Sequence, residues 1–146
     1  MCIRDRVYFT RAAMDASGVD FCLDVHGDEE LPYNFLAGAE GIPGFHETRL
    51  PALCEVFAAA YVRANPDLQR EHGYTVSEPG KANMTMCTSA VADRFQCPAY
   101  TLEMPFKDNA NAPDPLFGWS PARSANLGAS SLDALLRLAK AFTDSD

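Results

Sequence analysis

No stretch of this chain approaches the roughly 18 to 20 consecutive apolar residues that a bilayer-crossing helix needs, so no membrane partner is expected. Residues 1–6 carry charge and no apolar stretch follows them, so no signal-peptide pattern is visible. Positive charge is scarce too: 12 Lys and Arg stand against 20 Asp and Glu, for a net charge of −8. The basic residues are scattered, which argues against nucleic-acid binding by phosphate neutralisation. The cysteines form no framework. There are 5 of them, Cys2, Cys22, Cys54, Cys87 and Cys97, with no CxxC pair. An odd, unpaired set argues against a cysteine-rich structural zinc site. It points instead to free, mostly buried thiols in a reducing, cytoplasmic compartment. Internal repeats and low-complexity segments are also missing.

What remains is an ordinary globular composition, 47% apolar and 22% charged over 146 residues, enough for one domain with one hydrophobic core. Residues 7–17 place Val7, Phe9, Ala12, Ala13 and Met14 at helical spacing, and Gly18 supplies a C-cap. Residues 1–6 give this helix neither an N-cap nor a partner. That abrupt opening suggests a chain beginning inside a domain, with a non-native start over 1–6. Residues 19–26 read as a strand with Phe21, Leu23 and Val25 on one face and Cys22, Asp24 and His26 on the other, ended by Gly27. Helix, glycine, strand is half of an α/β unit and favours a mixed, mainly parallel sheet.

Residues 33–36 read as a second short strand, and residues 50–64 as a helix through Leu53, Val56, Phe57, Ala60 and Tyr61, closed by Asn65-Pro66. Residues 74–81 are loop-like, with a Pro79-Gly80 turn. Residues 83–95 are ambiguous, though Met84, Cys87, Val91 and Phe95 fit one helical face. Residues 98–104 form a third strand stopped by Pro105. A long loop follows, of the kind that is usually functional or disordered. Ser120 and Pro121 then open a final helix with Leu132, Leu135, Leu136 and Ala139 as its apolar stripe.

Two strands end on a chemically able residue, His26 and Glu103. Ligands of open α/β sheets bind at the carboxyl ends of strands, so neighbouring parallel strands would open both residues onto one cleft. After His26, Gly27 would allow close backbone approach to a ligand, and Asp28, Glu29 and Glu30 would favour a cation. Glu103, between Leu102 and Met104-Pro105-Phe106, needs a partner, a metal or a raised pKa, the setting that makes a general acid or base. His26-Gly27-Asp28-Glu29 also has HxxE spacing, but a zinc site would need a further histidine, and His46 and His72 both read as solvated. A Cys or Ser hydrolase is disfavoured: GxSxG is absent, and Cys22 lies about 13 Å from His26 along the same strand.

The segments Asp24-Val25-His26-Gly27-Asp28-Glu29-Glu30-Leu31-Pro32-Tyr33 and Tyr100-Thr101-Leu102-Glu103-Met104-Pro105-Phe106 resemble the catalytic domain of bacterial cytosolic-type zinc carboxypeptidases, of the carboxypeptidase A superfamily. Pro113-Asp114-Pro115, Gly118-Trp119-Ser120 and Ala122-Arg123-Ser124 resemble that group's loop before its last helix. The resemblance implies an incomplete α/β/α sandwich, with residues 7–146 as the carboxyl-terminal part of the catalytic domain. It also implies Zn2+ as cofactor, a peptide or protein carboxyl terminus as substrate, His26 as third zinc ligand, and Glu103 as the catalytic glutamate that activates the zinc-bound water.

The chain departs from the family by omission. The upstream HxxE and the arginine and asparagine-arginine stretch that grips the substrate carboxylate are not in it, so the chain alone is expected to be inactive. Lys81 is a candidate for binding an acidic substrate side chain. Tyr74 and Arg123 are further substrate-binding candidates: Tyr74, like Tyr100, as a hydrogen-bond donor to the transition state, and Arg123 as a residue that either pairs with an acid near the site or simply caps the final helix. The rival reading is a non-catalytic binding module that inherited the fold.

Overall fold

Parallel strands cannot be joined by a tight turn, so the two strands that end on His26 and Glu103 need a long crossover between them. The computed structural model describes residues 3–143. Helix α1 (Ile3–Ser17) leads into strand β1 (Cys22–Asp28), and the crossover carries strand β2 (Phe35–Ala37), helix α2 (Leu50–Ala64) and helix α3 (Cys87–Phe95). Strand β3 (Ala99–Pro105) and helix α4 (Pro121–Thr143) complete the chain. The sheet order is β1-β3-β2, with β1 parallel and β2 antiparallel to β3. The expected mixed, mainly parallel α/β sheet is therefore what forms.

Side-chain alternation along β3 assigns the layers. Tyr100 points to α2, where its hydroxyl donates to the Cys54 carbonyl at 2.9 Å and its ring stacks on Phe57. Thr101 points the other way, and its hydroxyl meets that of Thr88 on α3 at 2.6 Å. The sheet thus lies between α2 with α4 on one side and α3 on the other. The α2–α4 layer holds the core: Phe57, Tyr61 and Leu127 are fully buried, and the Tyr61 hydroxyl donates to the Leu127 carbonyl at 2.9 Å.

Helix α2 occupies the expected residues, and Gly18 closes α1 at φ +75 with its N–H on the Met14 carbonyl at 2.8 Å. Val7, Tyr8 and Phe9 of α1 are exposed. Of the suspected non-native start, Met1 and Cys2 lie outside the described residues. The ambiguous 83–95 stretch resolves into α3 preceded by a turn in which Asn83 Oδ1 accepts from the Thr85 N–H at 3.0 Å.

Two expectations need correction. Gly27 does not end β1, because pairing with β3 continues to Asp28 and Pro105. Its missing side chain leaves room for Phe106, whose Cε1 would lie 2.6 Å from a Cβ at position 27. The apolar stripe of α4 is also rotated from the one expected. Leu127, Ala134 and Leu138 are buried, whereas Leu132 and Leu136 face solvent, because the packing against α2 selects among several Ala and Leu positions. Among the described residues no helix is long and apolar enough to cross a membrane.

Candidate active site

His26 and Glu103 are register partners on adjacent parallel strands, each two residues before its strand ends. Register partners in a parallel pair share a face, here the face on which α3 packs. Their surroundings differ sharply. Glu103 is 6% exposed; its Oε1 lies 3.3 Å from the Tyr74 hydroxyl, and its Oε2 is buried with no hydrogen-bond partner. Burial pushes this carboxyl above the usual carboxylate range, while His26 and the Tyr74 hydrogen bond pull it partly back. His26 is half-exposed, and its Nε2 lies 3.0 Å from Asp24 Oδ1.

Tyr74 comes from the loop after α2 and is held by an edge-on contact with Phe35 of β2. Its hydroxyl donates chiefly to Asp28 Oδ2, at 2.6 Å. Burial and the Asp28 carboxylate push the phenol pKa up, so it stays a donor. Asp28 is depressed, first by the Tyr74 hydrogen bond and then by the N–H groups of Glu30 and Leu31, at 2.6 and 3.1 Å on Oδ1. Asp28 therefore closes a turn and anchors Tyr74, while Glu29 and Glu30 are exposed. A cavity of about 170 Å³ adjoins this cluster. Tyr74 and Thr101 lie on its wall with Thr88, Ser89, Met86 and Glu40.

The remaining candidates lie elsewhere. Lys81 is exposed in the Pro79-Gly80 turn and does not line the cavity. Arg123 directs all its N–H groups into the chain: onto Asp67 and Asp108, and onto the carbonyls of Ala112 and Gly118. Its guanidinium also lies over the Trp119 ring. The Tyr100 hydroxyl is occupied by Cys54 on the opposite face of the sheet. His72 stacks on Tyr33 and His46 sits edge-on to Phe45, both exposed, so neither joins His26. Sequence reasoning missed Asp24 and Asp28 as partners of His26 and Tyr74. Their period-two spacing with His26 on one strand was the available signal.

Among the described residues no group of three His, Cys, Asp or Glu side chains is placed to hold a metal ion. What it contains fits one share of such a site: a strand-end imidazole backed by a carboxylate, beside an unpartnered buried carboxylate oxygen.

No protein-family model matches the chain. Solved structures do. A metallo-carboxypeptidase of Pseudomonas aeruginosa, in complex with (2-guanidinoethylmercapto)succinic acid, superposes with a TM-score of 0.87 at 42% identity, covering 92% of this chain and 35% of that one. A metallo-carboxypeptidase of Burkholderia cenocepacia gives a TM-score of 0.87 at 43% identity, with 92% and 35% covered. An uncharacterized protein of Zymomonas mobilis is 44% identical over 128 residues, which are 88% of this chain and 33% of that protein. The chain has a carboxypeptidase-like fold, and it spans 35% of the length of these solved metallo-carboxypeptidases.

Proposed function

We propose that residues 7–146 are the carboxyl-terminal part of the catalytic domain of a zinc-dependent metallocarboxypeptidase, which removes carboxyl-terminal residues from peptides or proteins. The observation that carries this reading is the buried, unpartnered Oε2 of Glu103 beside His26 at the ends of two adjacent parallel strands. The likeness to solved metallo-carboxypeptidases supports a metal cofactor.

His26 would hold the ion through Nδ1, because Nε2 faces Asp24; metal-bound histidines are commonly oriented by such a carboxylate. The bound zinc would supply Lewis acidity, polarising the scissile carbonyl and bringing the pKa of water toward neutrality. The remaining ligands would come from outside the 146 residues, so this chain alone is expected to be inactive.

Glu103 is suited to proton transfer by the unequal surroundings of its two oxygens. Its Oε1 is held by Tyr74, which leaves Oε2 free to take a proton from the attacking water and deliver it to the leaving amine nitrogen. Burial raises its pKa toward the pH at which a general base also serves as a general acid. The neighbouring cavity would receive the side chain of the residue removed. Lys81 stands outside its lining, so this cavity does not pair an acidic side chain with that lysine.

The test is Glu103→Gln in the whole protein. Turnover should fall by about 10²- to 10⁴-fold, the usual worth of a positioned acid–base group, with metal content unchanged. Turnover near the parent level would remove the proposed role. The rival reading, a binding module, requires a whole protein whose coding sequence lacks an upstream HxxE.

A further inference from the structure

The cavity beside Glu103 has no Lys, Arg or His on its wall among the described residues, yet one end of it is suited to negative charge. That end is the first turn of α3. Met86 precedes the helix in an extended conformation and gives it no side-chain cap. The helical ladder begins only with the Ala90 N–H, on the Met86 carbonyl at 3.0 Å. The N–H groups of Cys87, Thr88 and Ser89 therefore lack intrahelical partners, and among the described residues no other backbone carbonyl takes them up. Peptide dipoles add partial positive charge at the same end. Thr88 and Ser89 both lie on the cavity wall.

The side chains there are donors without acceptors. Ser89 is 7% exposed, lines the cavity and forms no hydrogen bond through Oγ among the described residues. Thr88 and Thr101 are buried on the same wall, and their hydroxyls meet at 2.6 Å. One of the two donates to the other, so the second O–H is left with no acceptor among the described residues. Buried hydroxyls are rarely left so. Glu40 is the cavity's one acidic residue, and its carboxylate folds against Gly38, where a Cβ would overlap it.

We propose that the first turn of α3, Ser89 Oγ and the Thr88–Thr101 hydroxyl pair form a binding site for a carboxylate. An ionised carboxylate offers about four acceptor sites on two oxygens, which the Thr88 and Ser89 amides, Ser89 Oγ and the remaining O–H of the threonine pair would fill. Helix N-termini take up anions in this way without a cationic side chain. Two sources supply that chemistry. One is the side chain of an acidic residue at a substrate's carboxyl terminus, a use that rests on the carboxypeptidase reading. Thr101 stands two residues before Glu103 on β3, about 7 Å along the strand, so a residue held at Glu103 would reach this turn with its side chain. The other is a dissolved carboxylate, for which no catalysis is needed.

The experiment uses the full 146-residue chain, metal-free and isotope-labelled for NMR, titrated with acetyl-Ala-Glu, acetyl-Ala-Gln and sodium acetate at constant pH and ionic strength. The Thr88 and Ser89 amide signals should shift saturably with acetyl-Ala-Glu and stay in place with acetyl-Ala-Gln. Acetate shifting them at equal concentration would keep the site and overturn its use by an acidic side chain, as would equal shifts from the two peptides. Ser89→Ala should weaken binding of acetyl-Ala-Glu about 10-fold, the usual worth of a hydrogen bond to a charged group. Thr101→Val, which keeps the side chain's shape and removes one hydroxyl, should weaken it as well. Unmoved Thr88 and Ser89 amides with all three probes, or undiminished binding in both variants, would overturn the site. Binding here together with an inactive whole protein would leave the site standing and remove the carboxypeptidase reading.

Discussion

His26 and Glu103 stand side by side across the β1–β3 pair, yet one is half in water and the other almost wholly out of it. Strand spacing of about 4.8 Å puts them within reach of a common small ligand. The buried Oε2 of Glu103 has no partner, an arrangement that costs stability and that native proteins keep mainly where chemistry needs it.

That cost has a pH signature. The folded-state pKa of Glu103 lies above its unfolded value, chiefly through burial. Between the two values the folded state binds more protons than the unfolded one, so stability falls as pH rises through this window. Gln cannot titrate. In the metal-free chain, the melting temperature of wild type minus that of Glu103→Gln should therefore decrease as pH rises from about 4 to about 7. Circular-dichroism melts across that range give the result; a flat difference would mean that Glu103 titrates alike in both states.

Tyr74 and Asp28 predict the opposite slope. Asp28 is depressed chiefly by the Tyr74 hydroxyl, so it contributes stability above its unfolded pKa and loses it as pH falls through its folded pKa. Tyr74→Phe removes the 2.6 Å bond and leaves Asp28 Oδ2 without that donor. The variant should lose about 1–3 kcal/mol in urea unfolding at pH 7. It should also lose less than wild type on acidification, because the pKa difference it titrates has shrunk. Equal losses on acidification would assign the depressed pKa to the Glu30 and Leu31 amides.

Elements whose signals are local were legible in the sequence, and choices made by distant partners were not. Helix α2 could be read because its apolar spacing and its Asn65-Pro66 stop lie within one segment. The placement of His26 and Glu103 near the carboxyl ends of β1 and β3 followed from short runs of β-formers, although each strand runs two residues past the polar residue expected to end it. Gly27 was misread because a strand-ending glycine and a glycine that admits a ring look the same locally, and the ring belongs to Phe106. Arg123 could not be placed, since Asp67 and Asp108 lie 56 and 15 residues away. Asp28 was legible as an acid beside a histidine, but not as the acceptor for a tyrosine 46 residues later.

The rotated face of α4 gives a direct contrast. Leu138 is buried against the α2 layer and Leu136, two positions earlier, is exposed. Leu138→Ala should cost about 2–5 kcal/mol, through lost transfer energy and the cavity left behind. Leu136→Ala should stay within about 0.5 kcal/mol, as surface changes usually do. Chemical denaturation of the two variants separates them, and similar losses would mean that α4 packs on the other stripe.

Arg123 tests what orders the long loop between β3 and α4. Its guanidinium joins Asp67 ahead of α3 to Asp108, Ala112 and Gly118 of the loop, and lies 4.9 Å from the Trp119 ring centroid. The side chain is 17% exposed, so removing it strands two carboxylates in a partly desolvated place. Arg123→Ala should cost about 3 kcal/mol, below the loss seen for fully buried pairs only because some water reaches the site. Arg123→Lys should recover less than half of that, since an ammonium cannot reproduce the planar fork that reaches two acids and two carbonyls at once. Hydrogen exchange should show the amides of Gly118 and Trp119 losing protection in both variants, because their partners, the Asp114 and Lys107 carbonyls, belong to the same loop. A loss under about 1 kcal/mol with those amides still protected would mean that the loop is ordered by its own Asp108, Asn109 and Asp114 turns, without the arginine.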